Sequence, residues 1–256
     1  MNKRIVMLCS DCFSTTALYN YISRFYPIQN VIIENALRGS VLAKKRLKKL
    51  GFIKVSGQVL FSIIIVNFLK LSSKKRVKEI KGFFNVDESV IPDSKKINIS
   101  SVNDEKCITI LKEINPDIVL VNGTRIISKR LLESSNAYFI NMHTGITPMY
   151  RGVHGGYWAM VNKDPDHCGV TIHLVDKGID TGNILCQSKI VVNKRDNFFT
   201  YPFLQFGEGI PLVKKVIDDI SENNLKPIPI SRTFSRLWYH PTIWQYLYYR
   251  IFKKIK

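Results

Sequence analysis

Asn141 and His143 stand two residues apart at the end of the apolar run Ala137 to Asn141, and a loop punctuated by Gly and Pro, Thr144 to Gly152, follows them. On extended backbone that spacing sends both side chains out on one face. An amide donor and an imidazole can therefore converge on one substrate atom. Further on, Val175-Asp176-Lys177-Gly178-Ile179-Asp180-Thr181-Gly182 places two carboxylates and two glycines in a tight loop after another apolar run. An amide, an imidazole and a carboxylate are the parts needed for acyl transfer to an amine, in which one group holds the developing oxyanion and two manage protons.

Such residues need strands that end together. Lys3 to Cys9 is a short apolar run followed by the cap-type residues Ser10, Asp11 and Ser14, and then by Thr15 to Phe25 with helical apolar spacing; this predicts strand, turn and helix. Val31 to Ile33 reads as a second strand. Ile118 to Asn122 has the unbroken apolar character of a buried parallel strand, with a helix over Glu105 to Ile114 leading into it. Further strands are expected at 137–141, 169–175 and 184–192, and a helix from Phe198 through Ile220. Strands too far apart for hairpins argue for an α/β doubly wound sheet, which carries its functional groups on loops at the carboxyl ends of the strands. Two helices, about Gly39 to Leu50 and about Gln58 to Lys81, are interposed after the second strand. Pro227 and Pro229 mark a linker, and the last 26 residues hold eight aromatics.

The segment Asn141-x-His143-x-x-x-x-Pro148-x-x-x-Gly152, followed by Gly169-Val170-Thr171 and Asp180-Thr181-Gly182, resembles the signature of the folate-dependent formyltransferases. That family includes glycinamide ribonucleotide transformylase, methionyl-tRNA formyltransferase and sugar N-formyltransferases of lipopolysaccharide and O-antigen synthesis. The resemblance runs from about Asn115 to Val192, more loosely over Met1 to Ile33, and omits the basic insertion and the tail. It implies a Rossmann-like α/β fold with a mainly parallel sheet, to which the helical patterning adds a basic helical insertion at about 38–81 and a C-terminal helical extension. The catalytic part would span 1–205, and the closing helix and tail 206–256.

The resemblance also implies roles. A neutral amine would attack the formyl carbon of 10-formyltetrahydrofolate; Asn141 would donate to the oxyanion, His143 would polarise the centre and help move the proton, and Asp180 would orient His143. The pterin would rest on backbone of Asn122, Gly123, Thr124, Arg125 and Ile126 and of the loop holding Val175, Asp176 and Gly178. Ser10, Thr144, Tyr150, Arg151 and His154 are candidate contacts to the acceptor, and His173 reads as a core or sheet-facing residue. No metal is implied. After the His, where many relatives read Ser-Leu-Leu-Pro, this chain reads Gly145-Ile146-Thr147-Pro148. The first turn, Ser10 to Thr15, has no glycine and carries Asp11, which disfavours a phosphate seated there and lowers the ribonucleotide reading. The 64 residues after Val192 leave little room for a separate RNA-binding domain, so the expected acceptor is a primary amine on a nucleotide-linked amino sugar. The alternatives are a non-sugar amine, or a related domain turned to binding or scaffolding.

The formal charge of +18 is concentrated in two segments outside the motif: Arg38 to Lys81 holds 13 basic residues against one acid, and Ser231 to Lys256 holds six against none. The rest is neutral, so an anionic partner would be met by patches. Peripheral contact with anionic membrane or with a partner enzyme through 38–81 and 231–256 is expected in preference to nucleic acid, since neither segment matches a known nucleic-acid module. A homodimer stays open. The longest apolar stretch, Val59 to Leu71, is broken by Ser62, Asn67 and Lys70 and falls short of a span. The N-terminal apolar run is too short for a signal peptide, and five scattered Cys fit reduced thiols. Together these predict a cytoplasmic protein, with membrane-peripheral attachment as an added expectation.

Overall fold

A computed structural model describes residues 3–36, 39–230 and 234–256, and the side chains at 40–43 and 45 are not described. Arg38 and Ser231, where the two basic segments begin, lie outside the described residues. In chain order the elements are β1 (Ile5–Ser10), α1 (Phe13–Ile22), β2 (Ile28–Glu34), α2 (Gly39–Leu50), α3 (Phe52–Leu60), a π-helical turn (Phe61–Val66), α4 (Asn67–Ser72) and α5 (Lys74–Phe83). They continue with β3 (Lys96–Ile99), α6 (Glu105–Ile114), β4 (Ile118–Asn122), α7 (Lys129–Leu132), β5 (Tyr138–His143), β6 (Arg151–Gly152), α8 (Gly155–Val161), β7 (Gly169–Leu174), β8 (Ile184–Lys189), α9 (Tyr201–Ser221), β9 (Leu237–Trp238) and α10 (Ile243–Phe252).

Seven strands form one sheet in the order β3-β2-β1-β4-β5-β7-β8. It is parallel through β5, and β7 and β8 are antiparallel. Central strands are covered on both sides, which is why β1 and β4 are apolar up to their last residues, Ser10 and Asn122. Along β1 the pleat sends Ile5, Met7 and Cys9 to the face packed by α1 and α9, and Val6 and Leu8 to the face packed by α6. Gly209 in α9 lets that helix close on β5, because a Cβ there would meet Met142 and Val170 side chains. α9 runs through residue 205, where the sequence reading divides the chain.

Sequence patterning misses β3, a four-residue edge strand with alternating polar residues whose pairing is supplied by β2. It also misplaces the insertion. Instead of one helix from Gln58 to Lys81, a continuous helix spans Phe52–Ser72, long and apolar enough by length and composition to cross a membrane. This corrects the expectation that no segment reaches that length. The helix ends at Ser73 because that residue is buried and its hydroxyl accepts from Asn197 Nδ2 at 2.9 Å, after which α5 sets off anew.

Insertion and tail meet on a third core cluster. Phe61 packs edge-on to Phe198 and beside Tyr246, with ring centroids 4.8 and 5.2 Å away, and Gln58 Nε2 donates to the His240 carbonyl at 2.8 Å. Arg76 ties α5 to the sheet domain through a two-pronged pair with Asp196, 2.7 and 3.1 Å, whose carboxylate is buried. Arg76→Met should cost about 2 kcal/mol, read as a lower midpoint in urea. The cost is less than that of a wholly orphaned buried charge, because Asn193 N–H and the Thr200 hydroxyl still serve the carboxylate.

Candidate active site

The sheet order reverses between β1 and β4, and a cavity of about 500 Å³ opens at their carboxyl ends, the place where an open α/β sheet holds its ligand. Phe13 and Ser14 border it after β1, Asn122 to Ile127 after β4, Asn141 to Thr144 at the end of β5, and Val175 with Asp176 and Gly178 to Asp180 after β7.

Asn141, His143 and Asp180 converge on this cavity. His143 is 6% exposed; its Nε2 lies 2.8 Å from the Tyr150 carbonyl and its Nδ1 3.4 Å from Asp180 Oδ2. A carbonyl only accepts, so Nε2 carries the hydrogen of the neutral ring and Nδ1 is left as the acceptor. Burial holds the His143 pKa below the usual imidazole value, against the raising effect of Asp180 and of the Tyr150 carbonyl. For Asp180 burial works towards a higher pKa, but His143, His173 and the Gly152 N–H outweigh it and pull the carboxyl down to about 2. Near neutral pH the site therefore pairs a neutral imidazole with a carboxylate. Asp180 sits at φ 51, held by the Gly152 N–H at 2.8 Å and by a loop in which Asp176 accepts from Gly178 N–H and the Thr181 hydroxyl. Gly145 is needed beside them: a Cβ there would run into the Tyr150 carbonyl and stand 2.7 Å from His143 Nε2.

Sequence reasoning read His173 as a core or sheet-facing residue; it is buried, and it also lines the cavity. The antiparallel register sets Asn141 opposite His173 and His143 opposite Thr171. His173 Nδ1 donates to the Leu174 carbonyl at 2.8 Å, and in the neutral ring Nε2 accepts from Asn141 Nδ2 at 3.1 Å. One amide hydrogen of Asn141 is thereby engaged, and the other has no partner among the described residues. The signal was present in the strand itself, where Thr171 and His173 alternate as polar positions among apolar ones. Thr171 in turn donates to the Gly145 carbonyl and accepts from the Thr147 N–H, fixing the loop after His143.

The β4 loop walls the cavity. Asn122 donates to Ser14 and Thr15 hydroxyls at 2.8 and 3.0 Å, and Arg125 is anchored on buried Glu34 through its backbone N–H and an ion pair of 2.7 Å. The backbone N–H groups of Thr124, Ile126 and Ile127 have no hydrogen-bond partner among the described residues, so this loop suits a flat ligand recognised by main chain. Of the acceptor candidates, Thr144 borders the cavity, whereas Ser10, Tyr150, Arg151 and His154 do not. Ser10 lies behind Gly123. Tyr150 is buried, with its hydroxyl donating to Asp164 at 2.8 Å. Arg151 braces the loop that carries Asp180 by donating to the Ile179 carbonyl at 2.9 Å. His154 faces His240, Nε2 to Nε2 3.1 Å, and burial pushes its pKa well down. The tail also proves to be part of the support: β6 pairs with β9, and Trp238 Nε1 donates to the Met149 carbonyl at 2.9 Å. Among the described residues no group of three or more His, Cys, Asp or Glu could hold a metal.

Sheet and switch-point cavity place the chain in the α/β class, with an amide, an imidazole and a carboxylate gathered at the candidate site. A family model described as formyl transferase matches residues 71–201, half of the chain, and the chain belongs to that family. A methionyl-tRNA formyltransferase of Finegoldia magna is 37% identical over 127 residues, 48% of this chain and 40% of that protein. The chain thus spans less than half the length of that relative. The fold is shared with a 4-N formyltransferase from Francisella tularensis, TM-score 0.57 at 18% identity over 93% of this chain and 77% of that one. It is shared equally with an N-formyltransferase from Helicobacter canadensis in complex with folinic acid and dTDP-3-aminofucose, TM-score 0.57 at 20% identity, covering 92% and 70%.

Proposed function

We propose that the chain is an N-formyltransferase that moves a formyl group from 10-formyltetrahydrofolate to the primary amine of a nucleotide-linked amino sugar. The observation that carries the chemistry is the convergence of Asn141, His143 and Asp180 on one cavity, with His143 Nδ1 left as the acceptor of the ring and 3.4 Å from the Asp180 carboxylate. When bound, 10-formyltetrahydrofolate supplies the electrophilic formyl carbon; the unpaired amides of the Thr124 to Ile127 loop and the apolar walls at Phe13, Phe203 and Phe206 suit its flat pterin. Asn141 directs its remaining amide hydrogen at the oxygen on which charge develops. His143 takes the proton that the attacking amine must shed, Asp180 stabilises the resulting imidazolium, and as the formyl C–N10 bond breaks that proton passes to N10, so that tetrahydrofolate leaves neutral and the base is restored.

The amino-sugar acceptor is supported by the likeness of fold, over about nine-tenths of the chain, to the Helicobacter canadensis N-formyltransferase in complex with folinic acid and dTDP-3-aminofucose. A ribonucleotide phosphate on the start of α1 is disfavoured by the exposed carboxylate of Asp11. The test is to supply 10-formyltetrahydrofolate with nucleotide-linked amino sugars, methionyl-tRNA and glycinamide ribonucleotide in parallel, and to follow product mass. A gain of one formyl group on a sugar is expected. Formylation of only the tRNA or the ribonucleotide overturns the acceptor. Calorimetry showing no folate binding overturns the enzyme reading altogether in favour of a scaffold.

A further inference from the structure

The two basic segments, distant in sequence, are neighbours in the fold. Trp244 of α10 packs on Gly57 of α3, where no Cβ would fit, and Tyr246 packs on Phe61. The Phe52–Ser72 helix turns Val55, Gln58, Phe61 and Leu69 inward. Outward it leaves Leu60, Ile63, Ile64, Phe68 and Leu71 at 43–66% exposure, spaced as one stripe of a helix. α10 alongside leaves Leu247, Ile251 and Phe252 at 41–73%. Large apolar side chains gathered this way mark an interaction surface.

The charge around the stripe selects the occupant. Lys48, Lys49 and Lys54 lie near its start, Lys70, Lys74, Lys75 and Lys78 near its end, and Lys253, Lys254 and Lys256 follow α10. The one acid in the insertion, Glu79, is already paired with Arg76 and Arg195. A second copy would bring the same positive field against this one, so self-association is opposed. A bilayer with anionic headgroups satisfies both features, since apolar side chains enter the acyl boundary while lysines reach phosphate. The inner face ties the helix to the protein and favours lying flat over spanning, since Gln58 is hydrogen-bonded to His240 and Phe61 is wholly buried by the protein's own core.

We propose that the Phe52–Ser72 helix and α10 form a docking surface that lies flat in the headgroup layer of an anionic phospholipid membrane. Lipid binding is read without substrate, so it stands or falls separately from the acceptor. Purified protein is sedimented with vesicles of phosphatidylcholine alone or mixed with phosphatidylglycerol, at an ionic strength of about 0.15 M. Binding to the mixed vesicles, weaker binding to the neutral ones and loss in high salt are expected. Ile63→Asp with Phe68→Asp, both at exposed positions, should weaken binding at least about tenfold with the thermal midpoint preserved. Should that variant melt early, Lys74→Glu with Lys75→Glu carries the test; each lysine near an anionic surface is worth about fivefold. The proposal is overturned by absence of sedimentation, by equal binding to neutral vesicles, by wild-type binding in a folded variant, or by a lipid-free dimer that Ile63→Asp with Phe68→Asp dissociates. Release by detergent but not by high salt overturns it in favour of insertion.

Discussion

Asp180→Asn should lower kcat for formyl transfer by about a thousandfold, within the range that a proton-handling group contributes, and move the acid limb of the pH profile downward. The amide keeps an oxygen for the Gly152 N–H, so the loop stays in place and only charge is removed. His143 must be neutral to accept the amine proton, and its pKa is already depressed by burial while Asp180 pulls it upward. Removing the carboxylate removes that upward pull, so the base form persists to lower pH, yet the imidazolium formed during reaction loses its counter-charge. The pH dependence of kcat measures both effects. An unchanged plateau, or an acid limb displaced upward, would refute the assignment. Stability should follow the same group: its folded-state pKa of about 2 lies below the unfolded value, so its contribution is present above about pH 4 and is lost as pH falls towards 2.

Asn141→Ala should reduce kcat by about a hundred- to a thousandfold, the usual result of deleting one oxyanion donor, with the KM for folate and acceptor little changed. The second amide hydrogen is aimed where charge appears only during reaction, so ground-state binding does not depend on it. His173 supplies the check on how that hydrogen is aimed. Its Nε2 holds the first amide hydrogen at 3.1 Å, so His173→Phe should cost about tenfold in kcat, and the double variant should be no slower than Asn141→Ala alone. Additive losses in steady-state kinetics would show that His173 acts on the substrate independently and is not a positioning residue.

How far the site could be read from sequence depended on how local each signal was. Asn141 and His143 announce themselves because strand backbone makes their two-residue spacing a shared face, and Asp180 because the glycines around it mark a sharp loop. His173 was hidden because a polar residue in an apolar strand gains meaning only from the strand opposite. Tyr150 and Arg151 looked like acceptor contacts from composition; the fold uses the first as a buried prop whose carbonyl sets the His143 tautomer, and the second as a brace for the Ile179 turn. The tail looked appended to the catalytic part, but β9 pairs with β6 and so holds the loop that presents Gly152 to Asp180.

The sequence by itself determined the α/β class, the candidate trio Asn141, His143 and Asp180, the loops that wall the candidate cavity and the division of charge between a neutral core and two basic segments. These follow from periodicity, turn chemistry and residue type, which act over a few residues. Only the tertiary structure decided that His173 meets Asn141, which imidazole nitrogen faces Asp180, and that the two basic segments pack together with an apolar stripe of the insertion helix facing outward. The reason is physical: a helix or strand displays its faces in sequence, but which face is buried, and against what, is settled by contacts between residues far apart in the chain.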